Sequence, residues 1–483
     1  MRTLSLSLLA ICACANAQIT FQTVYNGPSG MYDAGHKVIQ LADGGYAVAG
    51  ITSGGNIFDA LLLRFNADGS MVWDKTYDLG HFEFVTDLLA MPDGGYLLGG
   101  TVAYANDQNG VLLIRTDAQG DTLWTRRWLA DLGTGHWAGM TRLTDGNIVV
   151  ATHVIGSDGT TPNMAVVRFD QAGNVTGTHV NTAFNGGSGR DVAQLTGGTV
   201  VIAGQQGAMP NDSTDAAFWL YDQNLSAIGM FLYGNDGTPD LTSDAAFAIE
   251  ATPDGGFVTT GLTTEPVTGD TNVFVMKVAP LWDFTWTLVI GGTSPYIGRD
   301  VVRCADGNFH VLWTAGTGPT ATVHISTVGP GGNLLGTLDI GAPNDYLSAQ
   351  SITATTDGSP VMTGLLATGG FGQSQRDLHL TKVTGNCQFP SAVINGTDEV
   401  SNLLAWPSPF MGHLTITVPQ WLDQATVTII DLLGHELRTL NTVTSNRITW
   451  DGRTTSGTEV PPGMYLVTVI ADGERYTQRV IKQ

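Results

Sequence analysis

Short stretches of apolar residues, separated by turns rich in Asp and Gly, extend over most of the chain. In the first unit an apolar stretch leads into a turn at Asp43-Gly44, a second ends at Gly50, and two more flank a turn at Asp68-Gly69. The stretches are rich in Val, Leu, Ile and aromatic residues and are too short for typical helices. This pattern predicts four β-strands in each unit.

The first turn of the unit recurs seven times, every 50 to 57 residues. Its first position is occupied by Asp43, Asp93, Asp145, Gly197, Asp254, Asp306 and Asp357, and glycine follows each time. We interpret these sites as two-residue hairpin turns, in which glycine adopts a positive φ at little cost. Five copies carry another glycine seven residues later: Gly50, Gly100, Gly204, Gly261 and Gly364. Four strands and two tight hairpins per repeat predict a propeller blade, whereas the alternative solenoid usually has shorter coils.

The strand count predicts how the ring closes. The seventh repeat provides only three strands before the period stops at Cys387. The segment from Ile19 to Gly27 resembles the fourth strands of other repeats, and it precedes the first blade. Its addition to the last blade would remove two exposed sheet edges. We therefore predict an all-β, seven-bladed propeller over residues 18–387, closed by an N-terminal strand.

The repeats resemble kelch-type blades. They share the order of long loop and tight turn, the glycine that ends the second strand, and a tryptophan in the fourth strand at Trp73, Trp124 and Trp286. The DGGY motif of the turns is also similar to repeats of exported Bacteroidetes proteins. This resemblance extends over this chain from Ile19 to about Cys387. This resemblance implies a fold and no single activity, because propellers serve enzymes, lectins and scaffolds alike.

The N-terminus has the features of a secretory signal peptide. Arg2 is followed by an apolar run and by Ala15-Asn16-Ala17, a small-residue cleavage site, so we assign residues 1–17 to the signal. Lipidation of Cys14 at a loose lipobox is the alternative. After cleavage Cys304 and Cys387 remain, and we expect two separate structural cysteines, with a disulfide between them as the alternative. We predict no transmembrane segment.

Beyond Cys387 the pattern changes. Residues 388–401 are predicted to be a linker, and 402–483 a small Ig-like β-sandwich with strands separated by Gly and Pro turns. This segment resembles the type A C-terminal sorting domain of the Bacteroidetes type IX secretion system, although Ser408 replaces the usual Asn. The resemblance implies passage through an outer-membrane translocon, whereas the alternative is an ordinary accessory sandwich. The matching residues are Pro407, Pro409, Asp431, Gly434, Trp450, Asp451, Gly452, Gly463, Tyr465 and Lys482.

The charge and the hydrophobic content of the chain limit the kinds of molecule that it can bind. The 483 residues carry a formal charge of −22, with 42% hydrophobic and only 13% charged residues. Such a chain can bury a large β core and suits two domains. Its acidic balance argues against a nucleic-acid-binding surface, which needs clustered Lys and Arg. We expect a monomer with no cofactor. We also expect no metal, since the Asp-rich loops lack the DxDxDG pattern of a calcium loop.

The ligand is predicted to bind the face of the propeller that carries the long, variable loops, because such loops on a rigid scaffold often carry function. Aromatic rings stack on sugars and Arg binds carboxylates through two parallel hydrogen bonds. The alternative is a structural role, in which the two arginines pair with the aspartates that follow them. The candidate residues on this face are His136, Trp137, Arg190, Tyr296, Arg299 and Tyr346.

The sequence contains no GxSxG, HExxH or P-loop motif. We therefore expect an exported binding or adhesion module, at the cell surface or secreted, that recognises a glycan or a protein. The alternative is a secreted polysaccharide hydrolase or lyase. Its candidate carboxylates are Asp33, Glu83 and Asp244, which all lie ten residues before the turn. A local role in forming a turn is the simpler explanation of these residues.

Overall fold

The computed structural model describes residues 15–16, 18–27, 32–53, 57–103, 109–129, 139–156, 158, 161–182, 186–207, 214–233, 243–265, 268–292, 295–316, 321–340, 346–367, 376–384, 404–406, 412–417, 426–431, 435–441, 447–461, 463–471 and 474–482. The chain divides into two compact units, residues 1–391 and 392–483. Among the described residues, no helix has the length and apolar character needed to cross a membrane.

The first unit is an all-β, seven-bladed propeller, as predicted. In blades 1 to 6, four antiparallel strands pair in sequence from the inner strand to the outer strand. Blade 1 comprises Asp33–Gln40, Tyr46–Ser53, Phe58–Phe65 and Met71–Tyr77. Blade 2 comprises Phe82–Ala90, Tyr96–Ala103, Asn109–Thr116 and Thr122–Leu129. Blade 3 comprises Gly139–Arg142, Ile148–Ile155, Pro162–Phe169 and Val175–Val180. Blade 4 comprises Gly187–Gln194, Val200–Gly207, Thr214–Tyr221 and Ala227–Tyr233. Blade 5 comprises Ala245–Ala251, Phe257–Thr264, Thr271–Val278 and Phe284–Ile290. Blade 6 comprises Tyr296–Arg303, Phe309–Ala315, Thr322–Val328 and Leu334–Ile340. A 3-10 helix, Pro280–Trp282, precedes the outer strand of blade 5.

Blade 7 confirms the predicted closure. Its first three strands are Tyr346–Ala354, Pro360–Ala367 and Asp377–Thr384, and the N-terminal strand Gln18–Tyr25 pairs antiparallel with the third. The two-residue strand Ala15–Asn16 pairs parallel with the outer strand of blade 6. The pairing of Gln18–Tyr25 with Asp377–Thr384 therefore closes the ring with strands from both ends of residues 18–387.

The same inter-blade contact is used at the closure as elsewhere in the ring. The ring of Trp73, on the outer strand of blade 1, lies 3.0 Å from the position that a Cβ on Gly120 of blade 2 would occupy. Phe21, on the N-terminal strand, lies 2.4 Å from the corresponding position at Gly69 of blade 1. Thr23 Oγ1 also donates a 2.6 Å hydrogen bond to the Gly69 carbonyl. The N-terminal strand thus replaces an outer strand in both pairing and packing.

The turn between inner and second strands differs from the prediction in type. The Leu41 amide donates to the Gly45 carbonyl at 2.8 Å and the Gly44 amide donates to the Leu41 carbonyl at 2.9 Å. These bonds enclose a three-residue loop, in which only the glycine needs the left-handed conformation, with φ +84° at Gly44. The Asp43 carboxylate accepts the Gly45 amide at 3.0 Å. The two-residue interpretation is therefore wrong, although glycine is needed for the predicted reason.

The glycine at the end of the second strand has a separate cause. A Cβ on Gly50 would lie 2.0 Å from the carbonyl oxygen of Ala34 on the inner strand. At this level the pairing register skips one inner-strand residue, because Gly35 pairs with Gly50 and Lys37 pairs with Ala49. The skipped residue forms a β-bulge. The glycine therefore lets the bulged inner strand approach closely.

Buried apolar side chains of adjacent blades form the propeller core. One cluster joins Ala47 and Leu62 of blade 1 to Val85, Leu88 and Tyr96 of blade 2. Alternating apolar positions on both faces of each sheet produce such clusters around the ring. The blades are therefore held face to face by burial of apolar surface.

Cys304 is disulfide-bonded, and its partner is not among the described residues. It lies just after the inner strand of blade 6 and is 1% exposed. The expectation that Cys304 is a separate structural cysteine is therefore wrong. Cys387 and Cys14 lie outside the described residues.

The second unit is a β-sandwich. One sheet contains Leu404–Trp406, Leu414–Thr417 and Arg447–Trp450, and the other contains Glu436–Asn441, Thr426–Ile430, Gly463–Ala471 and Glu474–Lys482. Between them lies a buried cluster that includes Ile416, Ile429, Trp450 and Val467. The sandwich therefore has a core of its own.

Candidate functional site

The inner strands of all seven blades surround a cavity of about 180 Å³ at the centre of the ring. Most of its lining comes from two adjacent positions of each inner strand, the bulged residue and the residue after it. The bulged residues in the lining are His36, Thr86, Arg190, Phe247, Arg299 and Gln350. The residues that follow are Lys37, Asp87, Gly139, Asp191, Ala248, Asp300 and Ser351.

The inner-strand bulge explains why side chains can point inward at two successive positions. In a regular strand successive side chains alternate between the two faces of the sheet. A bulge inserts one extra residue and redirects its side chain. In blade 4 the register skips Arg190, and a Cβ on the facing Gly204 would lie 1.9 Å from the Ser188 carbonyl oxygen.

Aspartates of blades 2, 4 and 6 each join their inner strand to the inner strand of the following blade. Asp87 of blade 2 accepts the Leu88 amide on its own strand at 2.8 Å and the Met140 amide of blade 3 at 2.7 Å. Asp191 makes the same pair of bonds to Val192 and Ile249, and Asp300 to Val301 and Ile352. These three carboxylates therefore act as structural links at the centre of the ring.

Lys37 provides positive charge within this acidic ring. Its Nζ lies 3.9 Å from Asp300 Oδ2. The carboxylate of Asp300, helped by Asp87, Asp191 and Glu250, raises the pKa of Lys37 far above its usual range. Burial raises the pKa of Asp191 to about 7. The centre of the ring thus holds one aspartate that titrates near neutrality, close to a lysine that stays protonated.

Arg190 and Arg299 extend from the bulges of blades 4 and 6. The guanidinium carbon of Arg190 lies 5.5 Å from the centre of the Phe247 ring, and Nη2 lies 3.5 Å from Gln205 Oε1. Arg299 Nε donates a 3.4 Å hydrogen bond to Thr314 Oγ1. Burial lowers the pKa of both guanidinium groups. Arginine nevertheless stays charged at neutral pH, so the cavity has two cationic groups suited to carboxylates.

His36 adds a hydrogen-bond acceptor to the cavity. Its Nδ1 lies 2.6 Å from the Val85 carbonyl oxygen, and burial lowers its pKa. The neutral imidazole therefore donates through Nδ1, which leaves Nε2 as an acceptor. Together with Gln350, it supplies neutral polar groups beside the arginines.

The structure brings two of the six predicted ligand-face residues together. Arg190 and Arg299 line the central cavity. Tyr296 instead packs within its own blade, with its ring 5.4 Å from that of Trp313, and Tyr346 packs in a cluster with Tyr32. His136 and Trp137 lie outside the described residues, as do most of the long loops.

Sequence reasoning missed most of the cavity, although a signal was present. Every bulged residue stands seven positions before the first residue of the repeated turn, as His36 does before Asp43. Reading that one column through the repeats collects the other bulged residues of the lining. Four of them were not predicted: His36, Thr86, Phe247 and Gln350.

The three carboxylates considered for an enzyme lie between blades and are not among the cavity-lining residues. Asp33 Oδ2 accepts the Gly27 amide at 2.7 Å, and Glu83 Oε1 accepts the His81 amide at 3.1 Å. Asp33, Glu83 and Asp244 are at most 2% exposed. Asp33 and Glu83 therefore accept hydrogen bonds from nearby backbone amides, which agrees with a local role in forming a turn.

The described residues of the C-terminal motif stabilise the sandwich. The rings of Trp450 and Tyr465 pack edge to face at 5.5 Å, and Tyr465 Oη donates to the Pro461 carbonyl at 2.6 Å. Lys482 Nζ lies 3.1 Å from Glu459 Oε1, and Asp451 Oδ1 accepts from Arg438 at 2.6 Å. Asp431, Gly452 and Gly463 are also described, whereas Pro407, Pro409 and Gly434 lie outside the described residues.

Residues 410–474 match the family model of the FlgD Ig-like domain, so the second unit contains an Ig-like domain of this kind. No curated protein matches the sequence.

Among similar solved structures are a fungal alcohol oxidase of the AA5 family in complex with copper (13% identity, 97% of this chain and 100% of that chain, TM-score 0.48) and the WD40 domain of Neurospora crassa Pan2 (7%, 77% and 98%, TM-score 0.46). The β-propeller domain of the trilobed protease from Pyrococcus furiosus is also similar (10% identity, 79% of this chain and 100% of that chain, TM-score 0.42). At these TM-scores the likenesses support no argument about activity.

Proposed function

We propose that the propeller is a binding module that recognises an anionic group of a glycan or protein in its central cavity. The observation that carries this proposal is the convergence of bulged residues from six blades on one cavity, Arg190 and Arg299 among them. Two guanidinium groups, an aromatic ring and neutral polar groups are the usual means of holding a carboxylate-bearing ligand.

The size of the cavity restricts what enters it. Pockets for whole drug-sized ligands measure roughly 300–1,000 Å³, whereas this cavity measures about 180 Å³. A single sugar unit or side chain therefore enters, and the rest of a larger ligand lies outside the cavity.

A polysaccharide hydrolase or lyase is the second candidate. The observation in its favour is Asp191, which lines the cavity and has a pKa raised to about 7 by burial, as a general acid requires. Against it, both Asp191 oxygens accept backbone amides, at 2.8 and 2.9 Å. That bonding accounts for the burial without catalysis.

A glycan array with parallel turnover assays separates the two functions. We expect the purified chain to bind acidic glycans, such as those ending in uronic or sialic acids, and to leave the bound glycans intact. Carboxyl-reduced versions of the same glycans are the matched controls and should not bind. Cleavage of a bound glycan that is lost in Asp191→Asn would favour the enzyme instead.

We also propose that a Bacteroidetes type IX secretion system exports the protein through its C-terminal domain, after a signal peptide directs it to the periplasm. The support is the run of motif residues from Pro407 to Lys482, together with an Ig-like domain that has its own core. Deletion of residues 402–483 should leave a folded propeller in the periplasm. Equal amounts of truncated and full-length protein in the medium would exclude this route.

A further inference from the structure

Three carboxylates converge between blades 1 and 2, away from the central cavity. They are Asp59 on the third strand of blade 1, Asp78 in the connection after its outer strand, and Glu83 on the inner strand of blade 2. One carboxylate oxygen of each residue lies within 4.8 Å of the other two. Three carboxyl groups thus share a small space at a blade interface.

Two of these carboxylates are buried with an unused oxygen. Glu83 is 0% exposed and Asp59 is 7% exposed. Glu83 Oε2 and Asp59 Oδ1 have no hydrogen-bond partner within the described part of the chain. A buried polar atom without a partner is costly, and a buried charge costs more. This arrangement therefore lacks a positive group.

Hydrogen bonds orient Glu83 toward this role. Its other oxygen, Oε1, accepts the His81 amide at 3.1 Å. In the same connection, Asp78 Oδ1 accepts the Gly80 amide at 2.8 Å, and Gly80 has a φ of +79°. The connection is thus folded around two of the three carboxylates, and each keeps an oxygen for another partner.

The fold repeats this juxtaposition. Asp33, at the start of its inner strand, and Asp244, just before its inner strand, stand at the position of Glu83. Asp377 and Asp215 occupy the third-strand position of Asp59 in the preceding blades. At those interfaces the Asp33 amide donates to the Arg376 carbonyl at 2.7 Å and the Asp244 amide donates to the Thr214 carbonyl at 2.6 Å. Acidic pairs thus recur where blades 1, 2 and 5 meet the preceding blade.

We infer that Asp59, Asp78 and Glu83 bind a calcium ion between blades 1 and 2. Calcium takes several oxygen ligands in flexible geometry, carboxylates among them, and here one oxygen of each carboxylate lies within 4.8 Å of the other two. Magnesium demands near-ideal octahedral geometry and is usually held by only one or two carboxylates, with waters among its other ligands. Asp78 is exposed, which gives the ion a route from solvent and room for water ligands. This proposal replaces the prediction that the protein binds no metal. The sequence pattern could not indicate the site, because its three carboxylates come from separate elements.

Calcium titration of the purified full chain, stripped with EDTA, tests the inference. We expect calcium to bind with measurable heat and to raise the melting temperature, because a ligand of the native state stabilises it. Magnesium at equal concentration should do so less.

Glu83→Gln is the informative variant. Glutamine keeps an oxygen for the His81 amide and places an amide donor near Asp59. The variant should melt at a higher temperature than the calcium-free wild type, bind one equivalent of calcium fewer, and show a smaller response to calcium. Asp68→Asn, at an exposed turn where Asp68 caps Ser70, is the matched control and should respond like the wild type.

Asp78→Asn keeps the test independent of core packing, because Asp78 is exposed. It should weaken calcium binding by about tenfold or more, since calcium affinity depends on the number of charged ligands. Unchanged calcium binding in both Glu83→Gln and Asp78→Asn would overturn the inference. So would a wild type whose melting temperature is the same in EDTA and in calcium.

Discussion

At the scale of single residues, the centre of the ring is an arrangement of charges held by backbone amides. Asp300 accepts the Val301 and Ile352 amides and also faces Lys37 at 3.9 Å. Two amide bonds per carboxylate fix its position, and the lysine offsets part of the repulsion between neighbouring aspartates. Lys37 is therefore a structural element of the proposed binding site.

Lys37→Met should destabilise the propeller in a pH-dependent way. Removal of one partner of a buried ion pair costs about 3–5 kcal/mol, and we expect about 1–3 kcal/mol here because the Lys37 side chain is 30% exposed. Asp191, with its pKa raised from 3.8 to about 7, holds a proton in the folded state that the unfolded chain has released. Stability therefore falls as pH rises through that window, and more steeply without Lys37. Denaturant unfolding at pH 5, 7 and 8 measures this effect, with Lys37→Arg as control, and an equal loss at every pH would contradict it.

At the scale of elements, a second-strand glycine faces the inner-strand bulge in blades 1, 2, 4, 5 and 7, whereas Trp313 stands at that place in blade 6. The glycine removes a side chain that would collide with the inner strand, and the bulge turns a polar residue toward the axis. In blade 4 these residues are Gly204 and Arg190. A substitution at the bulged position would therefore change the proposed ligand site and leave the strand pairing of the blade intact.

Gly204→Ala should destabilise blade 4 and disturb Arg190. The added Cβ would lie 1.9 Å from the Ser188 carbonyl oxygen, so the backbone must shift; overpacking of this kind costs about 1–3 kcal/mol. Gly197→Ala is the control within the same blade, because a Cβ there meets nothing within 4 Å, and it should be neutral or slightly stabilising. Thermal unfolding compares the two, and similar melting temperatures would disprove this role of Gly204.

The repeat predicted the strands, the turn glycines and the closing strand because each reflects local chemistry at a fixed spacing. The three-residue turn could not be read from Asp43-Gly44, since both turn types need glycine at that place. Arg190 and Arg299 were identified as charged residues at the entry of a blade. Lys37 and Asp191 were missed because a bulge breaks the alternation that tells inward from outward positions.

At the scale of the whole molecule, closure of the ring depends on residues far apart in sequence. The N-terminal strand pairs with Asp377–Thr384 and packs through Phe21 against the turn at Gly69 of blade 1. Tyr25 Oη also donates to Asp74 Oδ2 at 3.0 Å. The strand therefore links blade 7 to blade 1, and its loss opens the ring.

Deletion of residues 19–27 should lower the melting temperature strongly. Each lost backbone hydrogen bond contributes about 0.5–1.5 kcal/mol, and the exposed strand of blade 7 becomes an edge open to aggregation. Phe21→Ala, which keeps the strand and removes only the packing on Gly69, should have a smaller effect. Calorimetry with light scattering follows both effects, and an unchanged melting curve in the deletion variant would mean that the ring closes differently.

The central claim is that an anionic ligand binds in the cavity at the axis of the propeller. Isothermal titration of an acidic glycan identified on the array, against the wild type, Arg190→Ala, Arg299→Ala and the charge-matched control Arg126→Ala, tests it most directly. Arg126 lies on the outer strand of blade 2, where its guanidinium carbon is 5.3 Å from the Trp124 ring centre. We predict that each cavity variant weakens binding by at least about tenfold, or 1.4 kcal/mol, with its melting temperature retained, and that Arg126→Ala binds like the wild type. Equal affinities in all four proteins would contradict the account.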